Sequence, residues 1–175
     1  MKSKLVMIIM VVTVFFTASA AFAWPDGDRE GLLMGVTGGF ANTEFDSGAS
    51  TYDGTSFMAG VYLGAGLSEQ FLLSFRYRYF NTDTDWTTFH SFLWGVDAMY
   101  YPMPKNNFFI TGGLSRMMVS VDSAYVEDKW GMAFHVGVGY EITKWVFLMA
   151  DFTNASLDDD IDGRSITIAV AAIGY

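Results

Sequence analysis

The sequence predicts an all-β protein: an eight-stranded antiparallel up-and-down barrel that spans a membrane. Eight runs of ten to thirteen residues alternate along the chain between two unlike rows of side chains. One row is bulky and apolar, whereas the other is small or charged, as expected when successive side chains of a strand point to opposite faces. The run length also suits a bilayer, which a tilted strand crosses in about 9–11 residues.

Residues 1–23 are predicted to be a cleaved secretory signal. Two lysines precede an apolar run over residues 5–16, and the stretch "AFA" ends just before Trp24. This order of charged, apolar and small-residue segments is typical of an export signal. The apolar run is shorter than the roughly 20 residues of a spanning helix, which argues against a membrane anchor. We therefore expect residues 24–175 to form one exported domain in a Gram-negative cell outer membrane.

Composition narrows the functions that the domain can have. The net charge of −9 argues against a nucleic-acid partner, because such partners require a basic surface. The chain contains no cysteine, so disulfides, thiolate catalysis and cysteine-based metal sites are excluded. Hydrophobic residues nevertheless make up 51% of the chain, and beyond the signal none of its segments approaches 18 consecutive apolar residues. The apolar excess must therefore lie in short strands.

The connections between the runs alternate in character. Those after the second, fourth and sixth runs are short turns, whereas those after the first, third, fifth and seventh are mostly longer and all acidic. Short turns at one end and polar loops at the other are typical of a membrane barrel with periplasmic turns and extracellular loops. The predicted runs cover residues 30–41, 55–67, 71–81, 89–101, 108–119, 129–141, 145–154 and 164–175.

The bulky rows are predicted to face lipid. An eight-stranded barrel is only just wide enough for its interior side chains, so continuous rows of large residues do not fit inside. In the sixth run the outward row then includes Val136, Val138 and Tyr140, and in the second it includes Val61. Aromatic residues also gather near both strand ends, as in the interfacial girdles of membrane barrels. The last run is ambiguous: Ile166, Ile168 and Val170 alternate against Ile173 and Tyr175, so either a bulge or a different facing is needed.

The predicted signal, the eight strands, the hairpin "GVGYEITKW" and the carboxyl end "AAIGY" resemble small bacterial outer-membrane barrels of the OmpA-domain, OmpX and opacity-protein type. The resemblance implies a monomer without a cofactor, surrounded by outer-membrane lipid and lipopolysaccharide. It also implies insertion by the barrel-assembly machinery, to which such barrels often present a terminal phenylalanine. Here the last residue is Tyr175.

Six ionisable residues are predicted to face the lumen. Charges in a narrow interior must be paired or hydrated, and Arg76 and Arg78 lie beside the run that carries Asp97. The network favours a structural plug, and a gated or selective pore is the alternative. The predicted lumen residues are Arg76, Arg78, Asp97, His135, Glu141 and Asp151.

Catalytic chemistry finds little support in the sequence. The adjacent residues His90 and Ser91 point to opposite faces of a strand and cannot form a catalytic pair. Lipid A deacylases of similar barrel size carry a histidine and a serine two residues apart. Here the residue two positions after His90 is Phe92, and the residue two positions after His135 is Gly137. A triad assembled across strands is left open.

Residues 158–163 and Arg116 each allow a functional interpretation and a purely structural one. Residues 158–163, "DDDIDG", resemble the start of a calcium loop, but Ala169 stands where its closing glutamate belongs, which favours a solvated loop. Arg116 lies on a lipid-facing row near a loop, where it could meet lipopolysaccharide phosphate unless a bulge turns it inward. We expect a non-enzymatic protein that acts in envelope integrity or surface interactions through acidic loops. The alternatives are a small pore for ions or apolar solutes and, third, a lipid-modifying enzyme.

Overall fold

A computed structural model describes residues 29–84, 87–103, 107–121 and 128–174, which form a closed antiparallel barrel. Each strand pairs with its neighbours in the chain, and the first pairs with the last, which confirms the predicted fold class. Over these ranges no helix has the length and apolar composition needed to span a membrane. The predicted signal and Tyr175 lie outside the described residues. The strands are β1 (Gly31–Asp46), β2 (Thr51–Ser68), β3 (Phe71–Asp83), β4 (Thr88–Tyr100), β5 (Phe108–Val121), β6 (Lys129–Thr143), β7 (Val146–Leu157) and β8 (Ile161–Gly174).

The seam between β1 and β8 closes the barrel in an unbroken register. Met34 lies opposite Gly174 at one end and Asp46 opposite Asp162 at the other. We call the end that carries the β1–β2, β3–β4, β5–β6 and β7–β8 connections the loop end, and the opposite end the turn end. The register shifts only near two turn-end hairpins, between Gly66 and Ser68 and between Glu141 and Thr143.

An apolar band of the outward face runs around all eight strands, as predicted. Val136, Val138 and Tyr140 are exposed to 50%, 46% and 51%, whereas Ala133 and His135 on the same strand are buried. Near the turn end, neighbouring outward positions of β3 to β6 carry exposed aromatic rings. Phe71 lies opposite Tyr100, and Phe108 lies opposite Tyr140. Such a surface requires an apolar solvent, because soluble monomers rarely expose apolar patches of this extent.

The last strand alternates without a bulge. Ile166 and Ile168 are both 63% exposed, and Ile173 is 1% exposed because it points into the lumen. The ambiguity arose from the assumption that a large apolar residue must face lipid. At the turn end the lumen itself is filled by large apolar side chains, so Ile173 has partners there.

The hairpins at the loop end are longer, and their connections shorter, than the sequence predicts. β1 continues to Asp46 and β2 begins at Thr51, so only residues 47–50 join them. In this turn the Ser47 amide donates to the Ser50 carbonyl at 3.0 Å. Polar residues such as Glu44 and Asp53 therefore pair within the ladder, because a strand leaving the bilayer still gains backbone hydrogen bonds in water. The acidic residues lie mainly on projecting hairpins.

The connection between β7 and β8 is a tight acidic turn. Asp158–Asp160 form one 3-10 turn, in which Asp159 and Asp160 have positive φ angles of 62° and 56°. Aspartate tolerates this left-handed conformation better than most residues because its short side chain is compatible with it. The turn is tied to β6 by an ion pair between Lys129 Nζ and Asp159 Oδ2 at 2.5 Å.

Candidate functional site

The lumen at mid-height contains a layer of ionisable side chains that we call the central charge layer. It comes from inward positions of β3, β4, β6 and β7, as strand alternation predicts. Every member is at most 3% exposed, so the charges must be balanced within the layer. The central charge layer consists of Arg76, Arg78, Asp97, His135 and Asp151.

Asp151 binds both arginines of this layer. Arg78 Nη1 donates to Asp151 Oδ1 at 2.8 Å, and Arg76 Nη2 donates to Asp151 Oδ2 at 3.4 Å. Thr153 Oγ1 accepts from Arg78 Nη1 at 3.3 Å and lies at the same distance from the Asp151 carboxylate. One carboxylate from β7 therefore binds two guanidinium groups from β3, on the other side of the lumen.

Asp97 forms the second carboxylate centre. Its Oδ1 accepts from Thr111 Oγ1 at 3.0 Å and contacts His135 Nε2 at short distance. Arg76 Nη1 approaches the same oxygen only to 3.9 Å. The sequence pointed to Asp97 as the carboxylate beside the arginines because it lies on the neighbouring strand. The geometry assigns it chiefly to His135, while Asp151 holds both arginines.

Glycine makes room for these side chains. A Cβ at Gly113 would lie 2.7 Å from His135 Cε1, and one at Gly137 would lie 2.6 Å from Asp151 Cβ. Both distances are too short for real Cβ contacts. The small residues of the inward rows are thus required for the charged layer to fit inside eight strands.

Two apolar layers enclose the central charge layer. The loop-end layer lies above it and includes aromatic contacts such as Phe45 with Phe89, whose ring centroids are 5.2 Å apart. The turn-end layer lies below it, where the Phe109 ring packs 5.3 Å from Tyr101 and 5.9 Å from Phe147. Phe109 covers Gly139 so closely that a Cβ there would lie 2.1 Å from its ring. The buried loop-end layer is Ala41, Phe45, Met58, Phe80, Phe89, Leu93, Met117, Val119, Ala133, Ala155, Leu157 and Ala169. The turn-end layer is Leu33, Tyr62, Leu72, Met99, Tyr101, Phe109, Phe147, Met149, Ala171 and Ile173.

Glu141 belongs to a separate ion pair at the turn end. Arg29 donates to Glu141 Oε2 from Nε at 3.1 Å and from Nη2 at 3.0 Å, and it stacks 3.7 Å above the Tyr101 ring. Its Nη1 also donates to the Glu69 carbonyl at 3.2 Å. Arg29 precedes β1, outside the alternating pattern, and for that reason the sequence analysis missed it. Glu141 faces the lumen as predicted, but it does not join the central charge layer.

Arg116 points outward, toward lipid. Arg116 is exposed, and the pairing of β4 with β5 shows no register shift that could turn it inward. Its guanidinium lies 5.4 Å from the Trp130 ring centroid. Trp130 packs edge-to-face against Trp94 at 5.8 Å. The alternative in which a bulge turns Arg116 inward is therefore wrong.

The two histidines have no serine partner. His90 lies outward and its Nδ1 is bonded to the Tyr79 hydroxyl at 2.8 Å, whereas Ser91 points into the lumen and is buried. Ser120 lies opposite His90 on β5. Over the described ranges, however, no serine hydroxyl lies within hydrogen-bond distance of either histidine.

The acidic turn does not assemble a metal site. Asp159 is engaged with Lys129, and β8 begins at Ile161, so Asp162 is already held in the ladder opposite Asp46. Among the residues that the structure describes, no group of three or more histidine or carboxylate side chains converges on one point.

Comparison with known proteins agrees with this architecture. The family described as outer membrane protein β-barrel domain matches residues 8–173. The chain belongs to this family. The family is one of outer-membrane β-barrels, which supports the predicted location in that membrane. A search of curated proteins finds no match.

Three solved barrels illustrate the likeness. Neisserial surface protein A (NspA) is 17% identical with a TM-score of 0.59, covering 79% of this chain and 96% of its own. Ail, the attachment invasion locus protein of Yersinia pestis, is 10% identical with a TM-score of 0.58, covering 81% and 98%. OprG from Pseudomonas aeruginosa is 12% identical with a TM-score of 0.51, covering 85% and 99%. At these identities the comparison establishes the fold alone.

Proposed function

We propose that this protein is a non-enzymatic, closed outer-membrane barrel that contributes to envelope integrity and presents acidic hairpins at the cell surface. The observation that carries the proposal is the three-layer lumen: a charged layer between two apolar ones. The two apolar layers and the charged layer oppose the passage of ions for different physical reasons.

The apolar layers disfavour a continuous column of water. Hydrophobic constrictions in channels block conduction by dewetting, and here both ends of the lumen are lined by packed aromatic and aliphatic side chains. The two guanidinium groups of the central charge layer balance its two carboxylates, so with a neutral His135 imidazole the layer offers no net charge to a passing ion. This balance supports a structural plug rather than a selectivity filter.

The outer surface supports a role in contact with other molecules. Glu44, Asp46 and Asp53 lie on one projecting hairpin and Asp158–Asp160 on another, which concentrates negative charge at the loop end. Such a field attracts cations and basic segments of a partner and repels anionic surfaces. The partner's identity does not follow from charge alone.

Arg116 supports contact with lipopolysaccharide. A guanidinium binds phosphate through a planar fork of donors, and the neighbouring Trp130 and Trp94 belong to residue types that favour the membrane interface. Refolding into vesicles with and without lipopolysaccharide should show a stability gain that Arg116→Gln reduces. Lys144→Gln, which removes an exposed cation beside Trp145 at the turn end, is the matched control.

The test of the closed barrel is single-channel conductance in planar bilayers. The wild-type protein should give no steps above the lipid baseline, and Phe109→Ala with Phe147→Ala should give none either, because the loop-end layer and the central charge layer remain. Discrete, reproducible steps in the wild type would overturn the proposal and favour the pore for ions. Uptake assays with uncharged apolar solutes in vesicles test the other pore alternative in the same preparation.

A further inference from the structure

A cavity of about 250 Å³ lies at the loop end, above the loop-end layer. The described residues that line it come from seven of the eight strands or the turns beside them, and most of their side chains are apolar. The apolar lining is Phe45, Tyr52, Phe89, Val119, Val121, Leu157 and Ile161, and the polar lining is Ser47, Thr87 and Lys129.

The cavity is the right size for a small organic molecule. A dry protein cavity of about 150 Å³ binds benzene, so about 250 Å³ accommodates a body of roughly eight carbon atoms. The floor is firm, because Phe45, Phe89 and Leu157 are buried members of the loop-end layer. Phe89 also contacts Tyr52, with ring centroids 5.8 Å apart.

The charges around the opening select against anions. The Lys129 ammonium already contacts the Asp159 carboxylate at 2.5 Å, so an incoming carboxylate has to compete with Asp159 for this cation. Asp158 and Asp160 belong to the same turn as Asp159, and Asp46 lies next to Ser47, which lines the cavity, so the carboxylates near the opening repel an approaching anion. A neutral molecule meets no such repulsion.

We infer that the loop-end cavity is a binding site for a small uncharged apolar molecule, such as a medium-chain alcohol, and that the Lys129–Asp159 pair excludes the corresponding carboxylate. The hydroxyl of such a ligand meets the polar side of the opening, and its alkyl chain contacts Phe89 and Leu157. This inference goes beyond the closed barrel, because a ligand held above a packed floor is bound and not conducted.

The experiment uses methyl-labelled protein in lipid nanodiscs, titrated with 1-octanol or with octanoate. Methyl NMR separates binding in the cavity from partition into the bilayer, because Leu157 and Ile161 line the cavity whereas Val138 and Leu148 face lipid. With octanol we expect saturable shifts at the cavity methyls, with a dissociation constant of about 1 mM or below, and only a linear response at the lipid-facing ones. With octanoate we expect at least tenfold weaker binding.

Three variants make the inference falsifiable. Val121→Phe fills the cavity and should abolish saturable octanol binding, whereas Val138→Phe makes the same change on the lipid face and should leave it unaltered. Asp159→Asn keeps the left-handed turn but removes the carboxylate that competes for Lys129, so it should strengthen octanoate binding several-fold and leave octanol unchanged. Octanol shifts that are linear at every methyl, or equal saturation in Val121→Phe, would overturn the site. Octanoate binding as tight as octanol binding in the wild type would overturn the exclusion of anions. Retained barrel amide spectra establish that each variant is folded.

Discussion

Arg78 on β3 and Asp151 on β7 form an ion pair that crosses the barrel, with Nη1 donating to Oδ1 at 2.8 Å. The two strands are not neighbours in the sheet, since β4, β5 and β6 lie between them on one side. Backbone pairing therefore does not bring these groups together. Their contact depends on the closed barrel having the diameter that lets both side chains reach the middle of the lumen.

Replacing Asp151 should be the most damaging change in the central charge layer. Asp151→Asn leaves Arg76 and Arg78 buried without their shared carboxylate, and breaking a buried pair costs about 3–5 kcal/mol of unfolding free energy. Asp97→Asn should cost less, about 1.5–3 kcal/mol, because Arg76 keeps Asp151 and the main losses are the bonds to Thr111 and His135. Urea unfolding in lipid vesicles measures both.

Two controls accompany these variants. Asp158→Asn changes an exposed carboxylate and should leave the unfolding free energy unaltered within about 0.5 kcal/mol. Combining Asp151→Leu with Arg78→Leu should recover part of the loss, because only Arg76 then lacks its partner and the charge of Asp97 balances it. Equal stability of Asp151→Asn and wild type would mean that water solvates the arginines and that no plug exists.

The Arg29–Glu141 pair should stabilise the turn end. Glu141→Gln removes a carboxylate that accepts two guanidinium bonds at 3.0 and 3.1 Å in a mostly buried setting, and we expect a loss of about 1–3 kcal/mol. Arg29→Met keeps much of the contact with Tyr101 but should cost a similar amount. If the two single losses add fully in the double variant, the pair has no coupling energy and the contact is incidental.

Cysteine labelling should establish the orientation of the barrel in the membrane. Single cysteines at Val61, Val136 and Val138 lie on the outward face and should resist a water-soluble thiol reagent because lipid covers them. A cysteine at Ser47, in the turn between β1 and β2, should react on intact cells. Reaction at Ser47 only after the outer membrane is breached would place the loop end in the periplasm.

Calcium should bind weakly and without a defined site. The carboxylates of the β7–β8 turn do not converge, and Asp159 is paired with Lys129, so divalent cations only screen the acidic hairpins. Calorimetry on the refolded protein should show millimolar, salt-sensitive binding. Replacing Asp158, Asp160 and Asp162 together by asparagine should weaken it modestly. A micromolar one-to-one transition that this variant abolishes would instead establish a metal site.

Alternation along single strands was enough to predict which residues enter the lumen. Arg76, Arg78, Asp97, His135, Glu141 and Asp151 all lie on inward rows. Their partners could not be predicted in the same way, because contacts across a lumen depend on strand tilt and stagger, which a single strand does not encode. Alternation did not identify Arg29, because this residue precedes β1 and belongs to no strand. Ile173 was ambiguous because an apolar side chain suits both lipid and the turn-end layer.

The seam between β1 and β8 has a consequence for biogenesis. The two strands that close the barrel are separated by almost the whole chain, so the seam cannot form until the final strand has been synthesised and delivered. Until then the nascent sheet carries two unpaired backbone rows and an apolar surface, a combination prone to aggregation. Pairing of the first and last strands removes both unpaired edges at once, so the exposure ends only when the seam closes.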